Sequence, residues 1–279
     1  MSYIQKNYVE GKVVVITGAS SGFGRETALI VAEMGGIPVF GARRVDRLQA
    51  LADKITAKGG TCYWRETDVK KQADVQALVD LAIEKCGKVD CIVNNACSMP
   101  LAYFADHKKA VPAWEEAIDT GIKGVIYGMC AVYDQMMEQG YGQIINIAST
   151  GANFPAAGNG VYCTIKQGVL ALSHAMRHEC HGKIKVSTLS PSLTMGTELA
   201  STIINPASSV ALAGHLFMDN IALAPEFPGR PDMQDMDSIE CYSITPRALA
   251  ENIVYLINQP WGVNVSDITV RSSNDYLMV

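Results

Sequence analysis

The chain has 279 residues, a length that fits one α/β domain and leaves little room for a second. Hydrophobic residues make up 48% of it, which predicts a buried core and excludes a disordered protein. The formal net charge is −5 and there is no long run of Lys or Arg, so neither a nucleic-acid-binding nor a membrane-binding surface is expected. The polar first eight residues and the short apolar runs predict a cytoplasmic protein without a signal peptide or a membrane span.

Short β-branched runs alternate with longer amphipathic stretches along the chain. The predicted strands are Lys12–Thr17, Ile37–Ala42, Thr61–Glu66, Val89–Asn94, Gly142–Ala148, Ile184–Leu189 and Val265–Val270. The predicted helices are Gly22–Met34, Val45–Lys58, Lys71–Cys86, Pro112–Gln139, Gly160–His181 and Pro246–Asn258. This alternation predicts α/β architecture: one doubly wound, Rossmann-type parallel sheet of about seven strands that spans residues 1–279 as a single domain.

One long segment, Met195–Tyr242, interrupts the alternation and is rich in Met, Pro and Asp. Segments of this length between regular elements are usually lids or binding loops, or are partly disordered. We interpret it as a substrate loop.

The eight cysteines form no C-x-x-C pair, and several lie in apolar runs, which favours buried free thiols. One group of metal-ligand residue types stands out, His174, His178, Cys180 and His181. A zinc site needs four ligands that converge from more than one element, and these residues lie at one helix end. We therefore expect no metal site.

A glycine-rich turn follows the first predicted strand directly and leads into a helix. Gly18 is suited to the tight turn, Gly22 to close approach of a pyrophosphate, and Gly24 to close packing of helix on strand. The free N–H groups at the helix N-terminus favour phosphate. The turn therefore predicts a dinucleotide site. Its predicted contacts are Gly18, Ser20, Ser21, Gly22, Phe23 and Gly24.

The residues after the second predicted strand indicate which dinucleotide binds. Enzymes that use NAD place an acidic residue there, whereas enzymes that use NADP place an arginine for the 2′-phosphate. This chain has Arg43 and Arg44, with no carboxylate before Asp46. Two arginines match phosphate geometry, although they could also be solvated residues at a helix start. NADP(H) is the predicted cofactor.

Tyr162 and Lys166 are four residues apart and therefore share one face of a predicted helix. Reduction of a ketone requires a proton for the developing alkoxide, which a phenol can supply. A nearby ammonium is expected to lower the phenol pKa from its ordinary value of about 10. Ser149 follows the fifth predicted strand, where its hydroxyl can orient a carbonyl oxygen. These three are the predicted catalytic residues.

Together these features resemble the short-chain dehydrogenase/reductase family over nearly the whole chain. The matching motifs are Thr17-Gly18-x-x-x-Gly22-x-Gly24, Asn94-Asn95-Ala96, Ser149 and Tyr162-x-x-x-Lys166. The resemblance implies that Asp68 contacts the adenine and that Lys166 also holds the nicotinamide ribose. Further cofactor contacts that it implies are Val69, Asn95, Ala96, Tyr162, Pro191 and Thr194. It also implies a homodimer or homotetramer.

Three positions depart from the family pattern. Cys97 stands where Gly usually follows Asn-Asn-Ala, and Ser192 stands where Gly usually follows Pro. Gly121 stands where the family has a catalytic Asn that helps to position a water linking Lys to solvent. We consider that this glycine leaves space for a water, makes room for substrate or a neighbouring helix, or reflects relaxed selection on catalysis. The first two are favoured because Ser149, Tyr162 and Lys166 are intact.

The substrate is expected to contact the segments that overhang the nicotinamide, Cys97–Ala105, Thr150–Asn159 and Met195–Tyr242. Aromatic and Met side chains there predict an apolar wall that suits a bulky cyclic ketone such as a steroid or flavonoid. The candidate residues are Met99, Asn153, Phe154, Met195, Phe217 and Met218.

Two alternatives to ketone reduction remain open at this point. Gly121 in place of the catalytic Asn is compatible with a non-catalytic NADP-binding sensor or regulatory protein. The same fold also supports epimerisation or dehydration, which would consume no net cofactor.

Overall fold

The structure is a computed structural model that describes residues 6–209 and 235–275. Seven strands form one sheet: β1 (Val13–Thr17), β2 (Ile37–Ala42), β3 (Tyr63–Glu66), β4 (Cys91–Asn94), β5 (Gly142–Ile147), β6 (Ile184–Pro191) and β7 (Asp267–Val270). Their spatial order is β3-β2-β1-β4-β5-β6-β7, and every neighbouring pair is parallel. Strands β1 to β3 are added towards one edge of the sheet and strands β4 to β7 towards the other, so the order of strands reverses between β1 and β4. Open α/β sheets bind ligands in the crevice at such a switch point.

Helices cover both faces of the sheet. They are α1 (Gly22–Glu33), α2 (Val45–Ala57), α3 (Gln72–Cys86), α4 (His107–Ile118), α5 (Gly124–Gln139), α6 (Gly160–Glu179) and α7 (Pro246–Ile257). One core cluster includes Val31, Leu51 and Ile253 of α1, α2 and α7. The other includes Leu78 and Val132 of α3 and α5. Because both faces are covered, β1 is apolar and buried over most of its length, and the predicted doubly wound fold is confirmed.

Three predicted strands begin later than expected. The predicted starts at Thr61, Val89 and Val265 each lie two residues before the observed ones. A β-branched residue lies two positions before the ladder at each of these points, so side-chain preference alone overestimates the paired length.

The predicted helix Pro112–Gln139 was wrong in both its start and its regularity. α4 begins five residues earlier, at His107, and includes Pro112 in its interior. Buried Ala110 and Trp114 anchor this first part, and the Trp114 indole N–H donates to the Pro100 carbonyl at 3.0 Å. Packing therefore outweighs the tendency of proline to mark a helix start. A π-helical turn, Asp119–Lys123, separates α4 from α5.

All eight cysteines are free thiols, and four of them are buried. Within the ranges 6–209 and 235–275, no group of three or more His, Cys, Asp and Glu residues is arranged to hold a metal. Over the same two ranges, no helix has both the length and the apolar character needed to cross a membrane. Most of the predicted substrate loop, residues 210–234, lies outside the described part of the chain.

Candidate active site

Two cavities open at the carboxyl ends of the central strands. The first, here called the polar cleft, lies between the glycine turn and the ends of β2, β3 and β4; it is lined by Ser20, Arg44, Asp68 and Ala96, among others. The second, here called the apolar pocket, lies over the ends of β5 and β6 and contains Ser149, Tyr162 and Lys166. Residues that line both cavities are Phe23, Cys97, Thr197 and Leu199. The two cavities therefore share a wall.

The glycine turn is shaped by contacts that leave no room for side chains. Gly18 has φ +70°, and a Cβ there would lie 2.8 Å from the Cα of Ala96. A Cβ on Gly24 would lie 2.6 Å from the side-chain nitrogen of Asn95. That nitrogen donates to the carbonyl of Thr17 at 2.9 Å, so Asn95 fixes the end of β4 against the turn. The predicted roles of Gly18 and Gly24 agree with this geometry.

Arg44 lies directly on the glycine turn. Its guanidinium donates to the Ser20 hydroxyl from Nη2 at 2.7 Å and from Nε at 3.1 Å, and to the Ser21 hydroxyl at 3.1 Å. Its Nη1 pairs with the Glu198 carboxylate at 2.6 Å. A cation and two hydroxyls in one cluster form a donor set that suits a phosphate.

Arg43 faces away from this cluster. Its side chain is 65% exposed and pairs with Glu116 at 3.0 Å, and Lys70 approaches the same carboxylate oxygen at 3.2 Å. Both partners lower the pKa of Glu116, the Lys70 hydrogen bond more than the Arg43 one. Arg43 therefore lies on the rim of the polar cleft, whereas Arg44 lies against the glycine turn.

Asp68 and Val69 line the polar cleft beyond the end of β3, as the family pattern implies. The Asp68 carboxylate accepts from the Lys70 backbone N–H at 3.1 Å, and the Lys70 ammonium lies 3.9 Å away. Pro191 and Thr194 instead line the apolar pocket, beside Tyr162 and Lys166.

Ser149, Tyr162 and Lys166 come together in the apolar pocket although they belong to two elements. Ser149 follows β5, and its hydroxyl accepts from the Gly151 backbone N–H at 3.0 Å. Tyr162 and Lys166 lie on α6, and the Ser149 side chain lies close enough to the Tyr162 phenol to influence its pKa. The Lys166 ammonium donates to the Ile147 carbonyl at 2.8 Å and lies 5.9 Å from the centre of the Tyr162 ring.

The pKa of Tyr162 does not follow the sequence-based expectation. Burial raises this pKa above its ordinary value, the Cys97 thiol adds to the increase, and the Ser149 side chain opposes it. The phenol is only 4% exposed, so loss of hydration of its anion is the dominant effect. Burial therefore outweighs the lowering by Ser149, and Tyr162 is a protonated acid at neutral pH.

The walls of the apolar pocket carry few polar groups. Hydrophobic side chains on them include Met99, Leu101, Leu193, Met195 and Leu199. Among the described residues that line it, Lys166 is the only charged one. The pocket therefore suits an uncharged, apolar ligand.

The predicted substrate residues divide into three groups. Met99 and Met195 line the apolar pocket. Asn153 and Phe154 are not part of its described lining: Asn153 is exposed and accepts from Gln167 at 3.2 Å, while the Phe154 carbonyl accepts from Asn159. The short 3₁₀ helix Thr150–Ala152 directs the chain away from the pocket after Gly151. Phe217 and Met218 lie outside the described residues.

Residues 12–207 match a family model described as short chain dehydrogenase. This chain belongs to the short-chain dehydrogenase/reductase family. The match includes the glycine turn, the Asn94-Asn95-Ala96 motif, Ser149, Tyr162 and Lys166. The family identified from the motifs is therefore confirmed, and the protein is an oxidoreductase of this family.

Similar proteins agree with that assignment. An uncharacterized oxidoreductase of Staphylococcus saprophyticus is 35% identical over 272 residues, which cover 97% of this chain and 100% of the relative. An NADP-dependent 3-hydroxy acid dehydrogenase of Escherichia coli strain K12 is 34% identical over 216 residues, 77% of this chain and 84% of that protein. A solved structure of serine dehydrogenase complexed with NADP+ has a TM-score of 0.77 at 27% identity and covers 96% of this short-chain dehydrogenase/reductase and 97% of that chain.

Gly121, the position of the missing family Asn, lies buried in the π-helical turn. A Cβ at this position would lie 2.5 Å from the Cγ2 methyl of Ile165, the residue before Lys166. Of the explanations considered for this glycine, room for a neighbouring helix is the one that the geometry supports. The space beside Gly121 is filled by a methyl group, which contradicts the water-sized gap.

Two residues at the site were not identified from the sequence of this short-chain dehydrogenase/reductase. Arg47 lies one helical turn after Arg43, and Glu198 belongs to the irregular segment after β6. Glu198 pairs with both Arg44 and Arg47. No motif or periodicity in that segment indicates the contact, because it joins residues more than 150 positions apart.

Proposed function

We propose that the protein is an NADP(H)-dependent oxidoreductase that reduces a neutral, bulky cyclic ketone to a secondary alcohol. Tyr162 is its general acid, Lys166 supports the charge on Tyr162, and Ser149 orients the carbonyl. One observation supports this most strongly: the three side chains lie together in an apolar pocket that shares a wall with a cleft suited to a dinucleotide.

The residues of the polar cleft fit a phosphorylated dinucleotide. A Cβ on Gly18 would fill the space that the glycine turn leaves for the cofactor backbone. The N-terminus of α1, which follows the turn, is favourable to phosphate. Ser20, Ser21 and Arg44 form the donor set for a 2′-phosphate. In the solved complexes that resemble this chain, serine dehydrogenase is bound to NADP+. The bound cofactor would supply the hydride to the carbonyl carbon.

The proton for the alcohol comes from Tyr162. Its phenol is buried and protonated, so it can transfer a proton to the oxygen that becomes negatively charged as the carbonyl carbon accepts hydride. The Ser149 hydroxyl donates a hydrogen bond to the same oxygen. The Lys166 ammonium, held by the Ile147 carbonyl, offsets the charge left on the phenolate until a proton returns from solvent.

The choice of a neutral ketone rests on the charge of the apolar pocket. The relative from Escherichia coli is named for 3-hydroxy acids, and the similar solved structure for serine. A substrate carboxylate requires a cationic partner when it is removed from water. Within the described lining, Lys166 is the only cation, and its ammonium is already held by the Ile147 carbonyl.

A panel of ketones tests this proposal through oxidation of NADPH. Bulky cyclic ketones, including a steroid and a flavonoid, are compared with 3-oxo acids. We expect a higher kcat/KM for the neutral cyclic compounds. Preferential turnover of 3-oxo acids would contradict the substrate class, and tight NADPH binding without turnover of any ketone would favour the non-catalytic sensor.

The sensor hypothesis has less support in the structure than in the sequence. It was based on Gly121, and the contact with Ile165 provides a packing reason for that glycine. The expected homodimer or homotetramer stays a prediction, which light scattering of the purified protein can test.

A further inference from the structure

Arg44, Arg47, Ser20 and Ser21 form an anion site that a carboxylate of the protein itself occupies. The two oxygens of Glu198 accept one guanidinium each, from Arg44 at 2.6 Å and from Arg47 at 2.5 Å. The two arginines lower the pKa of Glu198, so it is ionised throughout the neutral range. Glu198 therefore accepts the hydrogen bonds that a phosphate would otherwise accept.

The charges of the site favour exchange of one anion for another. Arg44 and Arg47 carry two positive charges, and Glu198 neutralises one of them. A phosphate monoester has a charge near −2 at neutral pH, so it would match both arginines if the carboxylate left. Retaining both anions would instead leave two like charges on the same donors, which is unfavourable.

Glu198 is also attached to the wall of the apolar pocket. It is the first residue of the 3₁₀ helix Glu198–Thr202, and the next two residues, Leu199 and Ala200, line that pocket. Thr202 is the last residue of the same 3₁₀ helix, and its hydroxyl accepts from the Met99 backbone N–H at 2.8 Å. A helix this short cannot release its first residue without changing the position of the next two.

We propose that Glu198 is a specificity-determining latch that holds the 2′-phosphate subsite when no cofactor phosphate is there. NADP(H) displaces the carboxylate and releases the segment Glu198–Thr202, whereas NAD(H), which has no 2′-phosphate, leaves the latch closed. The segment then reshapes the apolar pocket only when the phosphorylated cofactor binds. This proposal depends on the assignment of NADP(H) in the proposed function.

Titration with adenosine phosphates separates the latch from the rest of the cofactor site. The probes are 2′,5′-ADP, which has the 2′-phosphate, and 5′-AMP, which does not. The proteins are the wild type, Glu198→Gln and Glu251→Gln, a matched loss of one exposed carboxylate that pairs with an arginine outside the cleft. We expect Glu198→Gln to tighten binding of 2′,5′-ADP by about fivefold, the scale of one exposed ion pair. Binding of 5′-AMP, and both affinities of Glu251→Gln, should stay unchanged.

Hydrogen–deuterium exchange of the wild type then tests displacement directly. The backbone N–H of Leu199 is bonded to the Thr197 hydroxyl and that of Ile203 to the Ala200 carbonyl. We expect 2′,5′-ADP to accelerate exchange in peptides that contain these residues, and 5′-AMP to leave it unchanged. Tighter binding without any change in exchange would mean simple repulsion and would overturn the latch.

The outcomes also separate failure of the latch from failure of the proposed function. A wild type that prefers 2′,5′-ADP, with Glu198→Gln binding it no more tightly, contradicts the latch alone. If the wild type and Glu198→Gln each bind the two probes equally, the result contradicts the assignment of NADP(H), and the latch with it.

Discussion

The Cγ2 methyl of Ile165 lies 2.5 Å from the position that a Cβ on Gly121 would occupy. A second pair repeats the arrangement in reverse, since a Cβ on Gly168 would lie 2.5 Å from the Cδ1 methyl of Ile122. Two glycines and two isoleucines therefore interdigitate between the π-helical turn and α6, next to Lys166. Ile165 branches at Cβ and is 2% exposed, so its methyl has little freedom to move aside.

Gly121→Asn should therefore lower the free energy of unfolding, by about 1–3 kcal/mol, because the added side chain overfills a packed site. Denaturation by urea measures the change. Gly160→Asn is the matched control, because a Cβ there would come no closer than 4.0 Å to another residue. In the double variant Gly121→Asn/Ile165→Ala the two losses should be less than additive. Additive losses, or equal losses for the two glycines, would show that the contact is not tight.

Arg44 and Arg43 should contribute unequally to cofactor affinity. Arg44 belongs to the donor set on the glycine turn, whereas Arg43 pairs with Glu116 on the exposed rim. Arg44→Ala should weaken NADPH binding about tenfold or more and change NADH binding little, since charge-assisted bonds contribute about 1.5–3 kcal/mol each. Arg43→Ala should have a smaller effect. Fluorescence titration provides the dissociation constants, and a larger loss for Arg43→Ala would reverse the assignment.

The pH dependence of turnover should differ between the two directions. Because burial raises the pKa of Tyr162 above its ordinary value, the phenol stays protonated through the neutral range. Reduction uses that proton, so its kcat should stay level across neutral pH and fall only on the alkaline side. Oxidation uses the phenolate, so its kcat should increase with pH. A reduction rate that already falls below about pH 8 would indicate that the pKa is lowered, contrary to the structure.

A buried lysine at the opposite end of the sheet should make stability pH-dependent. Lys185 donates to the carbonyls of Pro260 and Val263, and burial, with a smaller effect of Lys12, lowers its pKa to about 8. In the unfolded chain its pKa is near 10.5, so between these values the unfolded state binds more protons. The contribution of Lys185 to the free energy of unfolding is therefore at its maximum above pH 10.5, and it decreases as the pH falls towards 8.

Comparison with Lys185→Met isolates that effect from other groups that titrate in the same range. The difference in unfolding free energy between the wild type and Lys185→Met should change in favour of the wild type as the pH increases through this window. Urea denaturation at several pH values measures it. A constant difference would mean that Lys185 titrates alike in the folded and unfolded states.

The sequence was sufficient for the parts of the site that depend on local chain geometry. Gly18 and Gly24 are set by a turn between a strand and a helix, and Tyr162 and Lys166 by the spacing of one helix. Strand order follows from repeated βα units, so Ser149 could be placed at the end of a central strand. These positions need no knowledge of distant contacts.

The remaining features depend on contacts between distant parts of the chain. Glu198 meets Arg44 across 154 positions, in a segment with no periodic pattern. The early start of α4 depends on Trp114 reaching Pro100, and the pKa of Tyr162 on the depth of its burial. Neither burial depth nor a long-range ion pair leaves a pattern in neighbouring residues, which is why Lys166 alone suggested the wrong direction for that pKa.

The central claim is that Tyr162 supplies the proton for ketone reduction beside a bound NADPH. The most direct measurement is NADPH oxidation by the wild type and by Tyr162→Phe with the best ketone of the panel, with NADPH affinity determined in parallel. The account predicts a loss in kcat of ~10²–10⁴ with NADPH affinity retained, the range expected for removal of a general acid. Turnover by Tyr162→Phe at the wild-type rate would contradict it.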